Sequence, residues 1–344
     1  RTDNRIVQFY VEATSAGGTT VQPRVAPEAP AMYVVDNASI PGDLLTERFV
    51  ISARSLQALS TSTGQSPLFN YAFPRLSNQY FPATFIANEE TVIYNCELRK
   101  AGSPFQRDDP ANFNQAKWKP PGDYRFRGYT KRSIDDDINF TNRPSRSHHN
   151  RIVRYWLYLL GHPSNDNEFV RVAINGGPAI LREDAEINGN DYLKRNWEDG
   201  QRGEIYRIDD EWWFDDNWGR DGRNADWSYK NTTEAERYQS EWMKRSMETE
   251  YDYSSFVNWV GMVGRNQFNR EEMERTADID LMAANAVVRG WVDDWDNLTR
   301  NRGKNGYFLR RHDDGKWMLI QWDSDLTFGN SGAAFLGNLA GVRN

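Results

Sequence analysis

The residues best suited to chemistry lie near the C-terminal end of the chain. Asp296 follows a predicted helix, and Asn305 comes soon after it, at the start of a predicted strand. That strand and the next form a predicted hairpin, after which the chain delivers Asp323 and Asp325. Side chains two positions apart share one face of a strand, so these last two carboxylates are expected to converge on one point.

An acid, an amide at the mouth of a strand and an acid at the end of the next strand occur in this order in protein-kinase active sites. There an aspartate takes the proton of the acceptor hydroxyl, and an asparagine and a second aspartate hold magnesium on the nucleotide phosphates. The same residues are common in turns, because they bond to their own backbone. Spacing alone leaves both interpretations open.

The segment resembles the signature of the spore-coat CotH kinase family, in the long form found in large secreted bacterial proteins. The Trp-Asp-x-Asp-x-x-Phe ending of the family is matched by residues 322–328, and its Gly-Lys hairpin by Gly315 and Lys316. The resemblance extends over about residues 85–330. Weaker matches, to an Arg-x-basic-Gly-Ser turn, a Phe-Arg-Gly-x-x-Lys segment and a Gly-x-Leu-Tyr strand, are residues 97–103, 126–131 and 203–206.

The resemblance implies an α+β fold, a kinase-like two-lobed domain that binds ATP and Mg²⁺. Asp296 would act as the base or orient the acceptor hydroxyl, and Asn305, Asp323 and Asp325 would hold the metal. Cations are needed around the phosphates, because negative charge builds on the transferred group. The candidates for this role are Arg99, Lys100, Arg127, Lys131 and Arg207. The alternative for each is that basic residues beside turns are usually solvated.

Two positions depart from the family pattern. Ala101 stands where the family has a second basic residue, and Arg207 where many members have lysine. Arginine grips phosphate through two donors but does not reproduce a compact ammonium. A catalytically silent structural or adhesive module of a large extracellular surface protein is therefore the alternative function. A third interpretation, a calcium- or carbohydrate-binding domain, follows from the Asp and Trp residues clustered between positions 209 and 227.

Composition limits the class of protein. The 344 residues suffice for one large domain or two ordinary ones, and 13% aromatic residues can build a core. A net charge of −7 argues against a nucleic-acid partner, because such proteins usually carry a basic face. The single cysteine, Cys96, excludes an internal disulfide and is expected to be buried in an apolar strand. No apolar run approaches the ~20 residues of a membrane span.

The chain is expected to be cut from a longer protein. Residues 1–35 are predicted to be the end of a β-sandwich (Ig/fibronectin-like) module and a linker, since an apolar strand precedes a Pro-rich run. Residues 36–344 are predicted to be the CotH-type kinase-like domain, truncated at its C-terminal end. The resemblance implies a secreted or cell-surface location, with a protein substrate or neighbouring surface-protein subunits as partners.

Periodicity predicts the elements that must position the site. The predicted helices are 150–161, 234–248, 254–264 and 280–293. The predicted strands are 91–99, 168–175, 204–208, 307–311 and 316–322. Residues 182–184 are expected to form an exposed turn, with a cation-orienting role for Glu183 as the alternative. Asp293 and Asp294 are expected to be a solvated helix end, with a part in the chemistry as the alternative.

Overall fold

The computed structural model confirms the α+β class. The residues it describes are 4–36, 40, 42–60, 78–102, 115–135, 148–163, 165–199, 202–209, 227–239, 241–264, 269–298 and 304–328. The chain divides into two compact units. Unit 1 comprises Arg1–Pro144 and Asp166–Ile187, and unit 2 comprises Ser145–Asn165 and Asn188–Asn344.

Unit 1 is built around a closed β-barrel. Its elements are β1 (Arg5–Phe9), β2 (Val11–Ser15), β3 (Gly18–Gln22), β4 (Ala31–Val35), β5 (Leu45–Ile51), α1 (Ala53–Ser60), β6 (Phe81–Ala87), β7 (Thr91–Lys100), β8 (Ala116–Lys119), β9 (Arg132–Asp135), β10 (Asn167–Ile174) and β11 (Ile180–Glu186). The barrel order is β10-β11-β9-β8-β7-β6-β5, and β5 closes it by pairing in parallel with β10. Two further pairs, β1 with β4 and β2 with β3, are antiparallel. Whether they end a β-sandwich module stays a prediction.

Aromatic side chains fill much of the barrel core. Phe85 stacks on Trp118 with ring centroids 4.1 Å apart, and Phe49 and Phe126 pack against both rings. Cys96 belongs to the same buried cluster, as predicted, and burial raises the pKa of its thiol to about 12. A thiol held in this protonated state is a poor nucleophile, so Cys96 has a packing role.

The prediction of an exposed turn at residues 182–184 is wrong. These residues lie in β11 and are buried, and Asp184 accepts a 2.9 Å hydrogen bond from Nε of the fully buried Arg132. Glu47 of β5 is also fully buried beside Asp184. Burial raises the pKa of Glu47 well above its ordinary value, and the neighbouring Asp184 raises it further. The buried charge of Asp184 is compensated by the guanidinium of Arg132 rather than by water.

Unit 2 is built on an antiparallel sheet with the order β13-β12-β14-β15. Its elements are α2 (His149–Leu159), α3 (Asn190–Asn196), β12 (Glu204–Ile208), β13 (Trp242–Lys244), α4 (Ser254–Gly264), α5 (Arg270–Thr276), α6 (Ile279–Trp291), β14 (Gly306–Arg310) and β15 (Trp317–Gln321). The predicted hairpin, three of the four predicted helices and the strands β7, β10 and β12 are confirmed to within one or two residues at most ends. The predicted helix 234–248 is wrong: a 3-10 turn at Ala235–Arg237 precedes β13, where buried Trp242 pairs with Ile208 of β12.

Both faces of the β14–β15 hairpin are buried. Phe308 and Trp317 pack against Phe256 of α4 on one face, and Tyr307 and Met318 join a separate core cluster on the other. A slip of one residue would exchange the two faces, so packing fixes the register. The last ladder pair is Gly306 with Gln321, which leaves the residues just beyond this pair at the same end of the hairpin.

Candidate functional site

The loop that carries Asp296 begins at a sharply defined helix end. Asp293, directly after α6, has a left-handed backbone with φ of +55°. Its N–H donates to Gly290 O (3.2 Å), and the Asp294 N–H donates to Arg289 O (2.9 Å). This pair of bonds is the Schellman arrangement, which stops a helix and turns the chain. Asp293 and Asp294 are almost wholly buried, so the prediction that they are a solvated helix end is wrong.

Asp296 and Asn305, two of the predicted site residues, are in contact. The Asn305 amide Nδ2 donates to the Asp296 backbone carbonyl (2.8 Å) and to its carboxylate Oδ2 (3.2 Å). Both residues are largely buried. Asp296 Oδ1 is also buried and has no hydrogen-bond partner among the described residues. One carboxylate oxygen is thus anchored while the other has unused capacity to accept a proton.

Asp323 follows β15 at the same end of the hairpin. Its φ of +54° places it outside the extended strand, which ends at Gln321, so the expected alternation with Asp325 does not apply. Burial raises the pKa of the Asp323 carboxyl, Lys304 opposes that rise, and Asp296 adds to it. No hydrogen bond to this half-buried carboxylate occurs within the described part of the chain. Asp325 is buried, and its backbone carbonyl lies 3.0 Å from Nδ1 of His149.

Two basic side chains of unit 2 lie near these carboxylates. Lys304 Nζ is 3.3 Å from Asp296 Oδ2. Arg207, on β12, lowers the pKa of Asp323 and forms a 2.7 Å ion pair with Asp209 Oδ2. Sequence reasoning singled out Arg207 but missed Lys304, although it directly precedes Asn305. Acidic and basic side chains therefore lie close together, and the pKa of Asp323 stays raised although two cations oppose the rise.

A buried arginine, Arg289, lies behind this group and was also missed. Its guanidinium contacts Asp294 Oδ2 through Nε (2.6 Å), Asn305 O through Nη1 (2.5 Å) and Trp322 O through Nη2 (3.3 Å). Burial raises the pKa of Asp294, and the contact with Arg289 opposes the rise. The sequence did carry one signal: Arg289 is four residues after Asn285, on the buried stripe of α6.

The other predicted phosphate contacts belong to unit 1, and the structure gathers only some of them. Arg99 lies 5.3 Å and Lys131 6.0 Å from the centroid of the Tyr80 ring. The carbonyl of Lys100, also buried, accepts a 2.8 Å bond from Arg99 Nη1. Arg127 instead forms a 2.9 Å ion pair with Glu168. Arg99 and Lys131 therefore share the surroundings of Tyr80, and Arg127 is paired with Glu168.

The side chains of the site suit a hard divalent cation. Among the described residues, no three His, Cys, Asp or Glu side chains come together as a ready-made metal centre. The predicted set is different: two carboxylates, Asp323 and Asp325, with the amide of Asn305. Oxygen donors of this kind are the ligands that Mg²⁺ prefers, and it commonly uses only one or two protein carboxylates. The carboxylate of Asp323, which has no donor in the described structure, fits such a role.

The site thus combines an acid–amide pair at the mouth of a hairpin with an acid at its exit, in an α+β chain. The model of the family CotH kinase protein matches residues 151–337, more than half of the chain. The chain therefore belongs to the CotH kinase protein family. The match includes Arg207, Asp296, Asn305, Asp323 and Asp325, whereas Arg99, Lys100, Arg127 and Lys131 lie outside it. No curated protein sequence matches the chain.

None of the described helices combines the length and the apolar character needed to cross a membrane. The Asp and Trp residues that suggested calcium or carbohydrate binding fall mostly at positions 210–226, outside the described residues.

Proposed function

We propose that this chain binds Mg-ATP at the Asp296–Asn305–Asp323 site and transfers the γ-phosphoryl group to a Ser or Thr hydroxyl of a secreted or surface protein. In this reaction the bond between the γ-phosphorus and the β–γ bridging oxygen breaks, and a bond to the acceptor oxygen forms. The hydroxyl proton passes to Asp296. The observation that carries the proposal is the anchoring of one Asp296 oxygen by Asn305 while the other lacks a partner among the described residues.

Asn305 and Asp323 are the residues that would hold Mg²⁺, with Asp325 as a further ligand. When bound, the metal neutralises charge on the nucleotide phosphates. Asn305 has a second task, because its amide N–H group holds the Asp296 carboxylate. The metal side and the acceptor side of the reaction would in this way be coupled through a single side chain.

Lys304 supports the proposal by its position. The ammonium group lies 3.3 Å from Asp296 Oδ2, and its charge lowers the pKa of Asp323. A cation in this place opposes the rise that burial causes in the pKa of Asp323, and the ionised form of that carboxyl is the one that binds metal. Many family members have a lysine at the position of Arg207. Lys304 supplies a lysine ammonium group beside the proposed site of this chain.

Other parts of the proposal rest on the family resemblance. They are the arrangement of two kinase-like lobes, the secreted or surface location, and nucleotide contacts from Arg99, Lys100, Arg127, Lys131 and Arg207. One observation favours the silent structural or adhesive module instead: Arg207 and Arg127 are already ion-paired, with Asp209 and Glu168. A cation paired within the protein must exchange partners before it can bind phosphate.

The test is an Asp296→Ala variant, studied by titration calorimetry with Mg-ATP and by transfer from γ-labelled ATP to dephosphorylated casein. Asp296 touches the hydroxyl rather than the phosphates, so binding should stay near the parental level. Transfer should slow by at least ~100-fold, the lower range for loss of a positioned base. The matched control is Asp313→Ala in the exposed hairpin turn, which should behave as the parent does.

Each other outcome is decisive. An unchanged transfer rate removes Asp296 from the mechanism, and lost nucleotide binding in a folded variant moves it to the metal ligands. If the parent binds Mg-ATP but transfers nothing to casein or to itself, the silent module is the better account. A parent that fails to bind Mg-ATP overturns the proposal.

A further inference from the structure

We infer that Arg289 is a positioning residue. Its buried guanidinium sets the distance between Asp296, which faces the acceptor hydroxyl, and the proposed metal ligands Asn305 and Asp323. The inference rests on the proposed function, because it assigns a role to Arg289 only if Asp296, Asn305 and Asp323 act together on Mg-nucleotide. Arg289 itself is 1% exposed, so it would act through the residues to which it donates hydrogen bonds.

The three hydrogen bonds of Arg289 end on three separate segments of the chain. Nε bonds the carboxylate of Asp294, two residues before Asp296, and Nη1 bonds the carbonyl of Asn305 itself. Nη2 bonds the carbonyl of Trp322, the residue before Asp323. A guanidinium is planar and presents its donors in a fixed fork, so bonding three acceptors also fixes their mutual geometry.

The carbonyls of Asn305 and Trp322 lie beyond the last paired residues of the β14–β15 ladder. The β14–β15 ladder ends at the pair Gly306 and Gln321, so Asn305 and Trp322 are the first residues beyond it. Asn305 also has a left-handed φ of +59°, which takes it out of the extended conformation. Arg289 donates to both carbonyls and so continues the coupling of the two strands past the last ladder pair.

Asp294 extends the same network to the exit of the hairpin. Its Oδ2 accepts a bond from Ser324 Oγ (2.9 Å) as well as from Arg289. Ser324 lies between Asp323 and Asp325, and its N–H donates to the Asn150 side chain of α2. The fully buried Asp294 is thus a second fixed point for the segment that carries both predicted metal-binding aspartates.

Stability alone is a poor reason for this arrangement. Apolar residues of similar volume often replace a buried ion pair with no loss of stability, and the buried apolar residues Val288 and Val292 lie close to Arg289 in the sequence. What an apolar side chain lacks is donors for the Asn305 and Trp322 carbonyls. Groups that orient metal ligands from behind typically change metal affinity or activity 10- to 100-fold when mutated.

The experiment compares Arg289→Lys with Arg132→Lys. Arg132 is equally buried and also bonds an aspartate through Nε, but it belongs to unit 1 and to no part of the proposed site. Binding of Mn²⁺ with ADP, followed by electron paramagnetic resonance, reports the metal site without any need for turnover. We expect Arg289→Lys to weaken Mn-ADP binding about 10- to 100-fold, and Arg132→Lys to leave it within about twofold.

Amide hydrogen exchange separates this inference from the proposed function. Arg289→Lys should speed exchange at residues 304–306 and 322–325, and Arg132→Lys should not. If the parent binds no Mn-ADP, the proposed function fails, and the exchange pattern alone decides whether Arg289 holds these segments. A folded Arg289→Lys variant with parental binding and parental exchange overturns the inference.

A second variant covers the case in which Arg289→Lys does not fold. The double variant Arg289→Met with Asp294→Leu removes both buried charges together, so neither is left unpaired. It still lacks donors for the Asn305 and Trp322 carbonyls and should lose Mn-ADP affinity by the same 10- to 100-fold range. Parental affinity in the folded double variant would show that the guanidinium does not position the site.

Discussion

Each unit of this protein buries an arginine against an aspartate, and the two pairs are close chemical copies. In unit 1, Arg132 Nε lies 2.9 Å from Asp184 Oδ1, and in unit 2, Arg289 Nε lies 2.6 Å from Asp294 Oδ2. All four side chains are nearly or fully inaccessible to solvent. Each pair also has further carboxyl groups beside it, and these groups differ in their exposure to solvent.

In unit 1 the additional carboxyl is Glu47, which is wholly buried. Its oxygens and Asp184 Oδ2 have no hydrogen-bond donor among the described residues, because two ionised carboxylates can only accept. A proton on Glu47 removes this conflict and bonds the two groups, consistent with the raised pKa of Glu47. Burial raises the pKa of Asp184 as well, but its contact with Arg132 opposes the rise.

In unit 2 the additional carboxyls are Asp296 and Asp323, and they have cations nearby. Lys304 pairs with Asp296, and both Lys304 and Arg207 oppose the rise that burial causes in the pKa of the half-buried Asp323. Similar buried arginine–aspartate pairs can therefore have different roles in the two units. Where the additional acid is sealed from water, burial favours its protonated form, and where it is more exposed, as at Asp323, it is the group that we propose binds the metal.

The largest expected effect concerns the sealed pair. Arg132→Met leaves Asp184 buried without its partner and should lower the free energy of unfolding by about 3–5 kcal/mol. Urea denaturation measures this. The matched control is Arg127→Met, which breaks a more exposed pair with Glu168 and should cost at most about 1 kcal/mol. Equal losses in the two variants would mean that Asp184 is not a sealed charge, and the comparison between the units would break.

A smaller effect is expected from pH, and it sharpens the comparison. The folded-state pKa of Glu47 is raised, so between the unfolded pKa and the folded pKa the folded protein binds more protons than the unfolded chain. Stability from this group is therefore complete below the unfolded pKa, about 4.3, and is lost as the pH rises through the folded pKa. The groups that face Glu47 are Asp184, Arg127 and Arg132.

Glu47→Gln tests this assignment. The amide has the shape of the protonated carboxyl and can donate to Asp184 Oδ2 at every pH, so the variant should lose that part of the pH dependence. Thermal melts between pH 4.5 and 9 compare it with the parent and with Glu97→Gln, a control on the surface of β7. A parent whose melting temperature falls no more steeply with pH than that of Glu47→Gln would show that Glu47 is ionised in the fold.

The sequence predicted the site hairpin and α6 well, because both are specified locally. Apolar periodicity and the turn at His312–Gly315 define the hairpin, and the helical spacing of 280–293 defines α6. Asn305 and Asp296 are near in sequence, so their contact could be anticipated as well.

The missed features depend on residues that are far apart in the chain. Arg289 meets Trp322 across 33 residues, and Arg132 meets Asp184 across 52. The sequence of β11 is rich in charges because its partners inside unit 1 are charged, and no local pattern distinguishes such a strand from an exposed turn. The helix expected at 234–248 failed for a related reason: pairing of Trp242 with β12 overrides the helical spacing.

The most direct test of the central claim is the rate of Mg²⁺-dependent phosphoryl transfer by Asp323→Asn. An amide keeps the shape of the side chain but brings no negative charge to the metal. We expect the variant to melt as the parent does and to transfer no phosphate above background, while Asp313→Asn in the exposed turn transfers at the parental rate. Transfer by Asp323→Asn at the rate of the parent would contradict the assignment of Asp323 to the metal, and with it the site proposed for this protein.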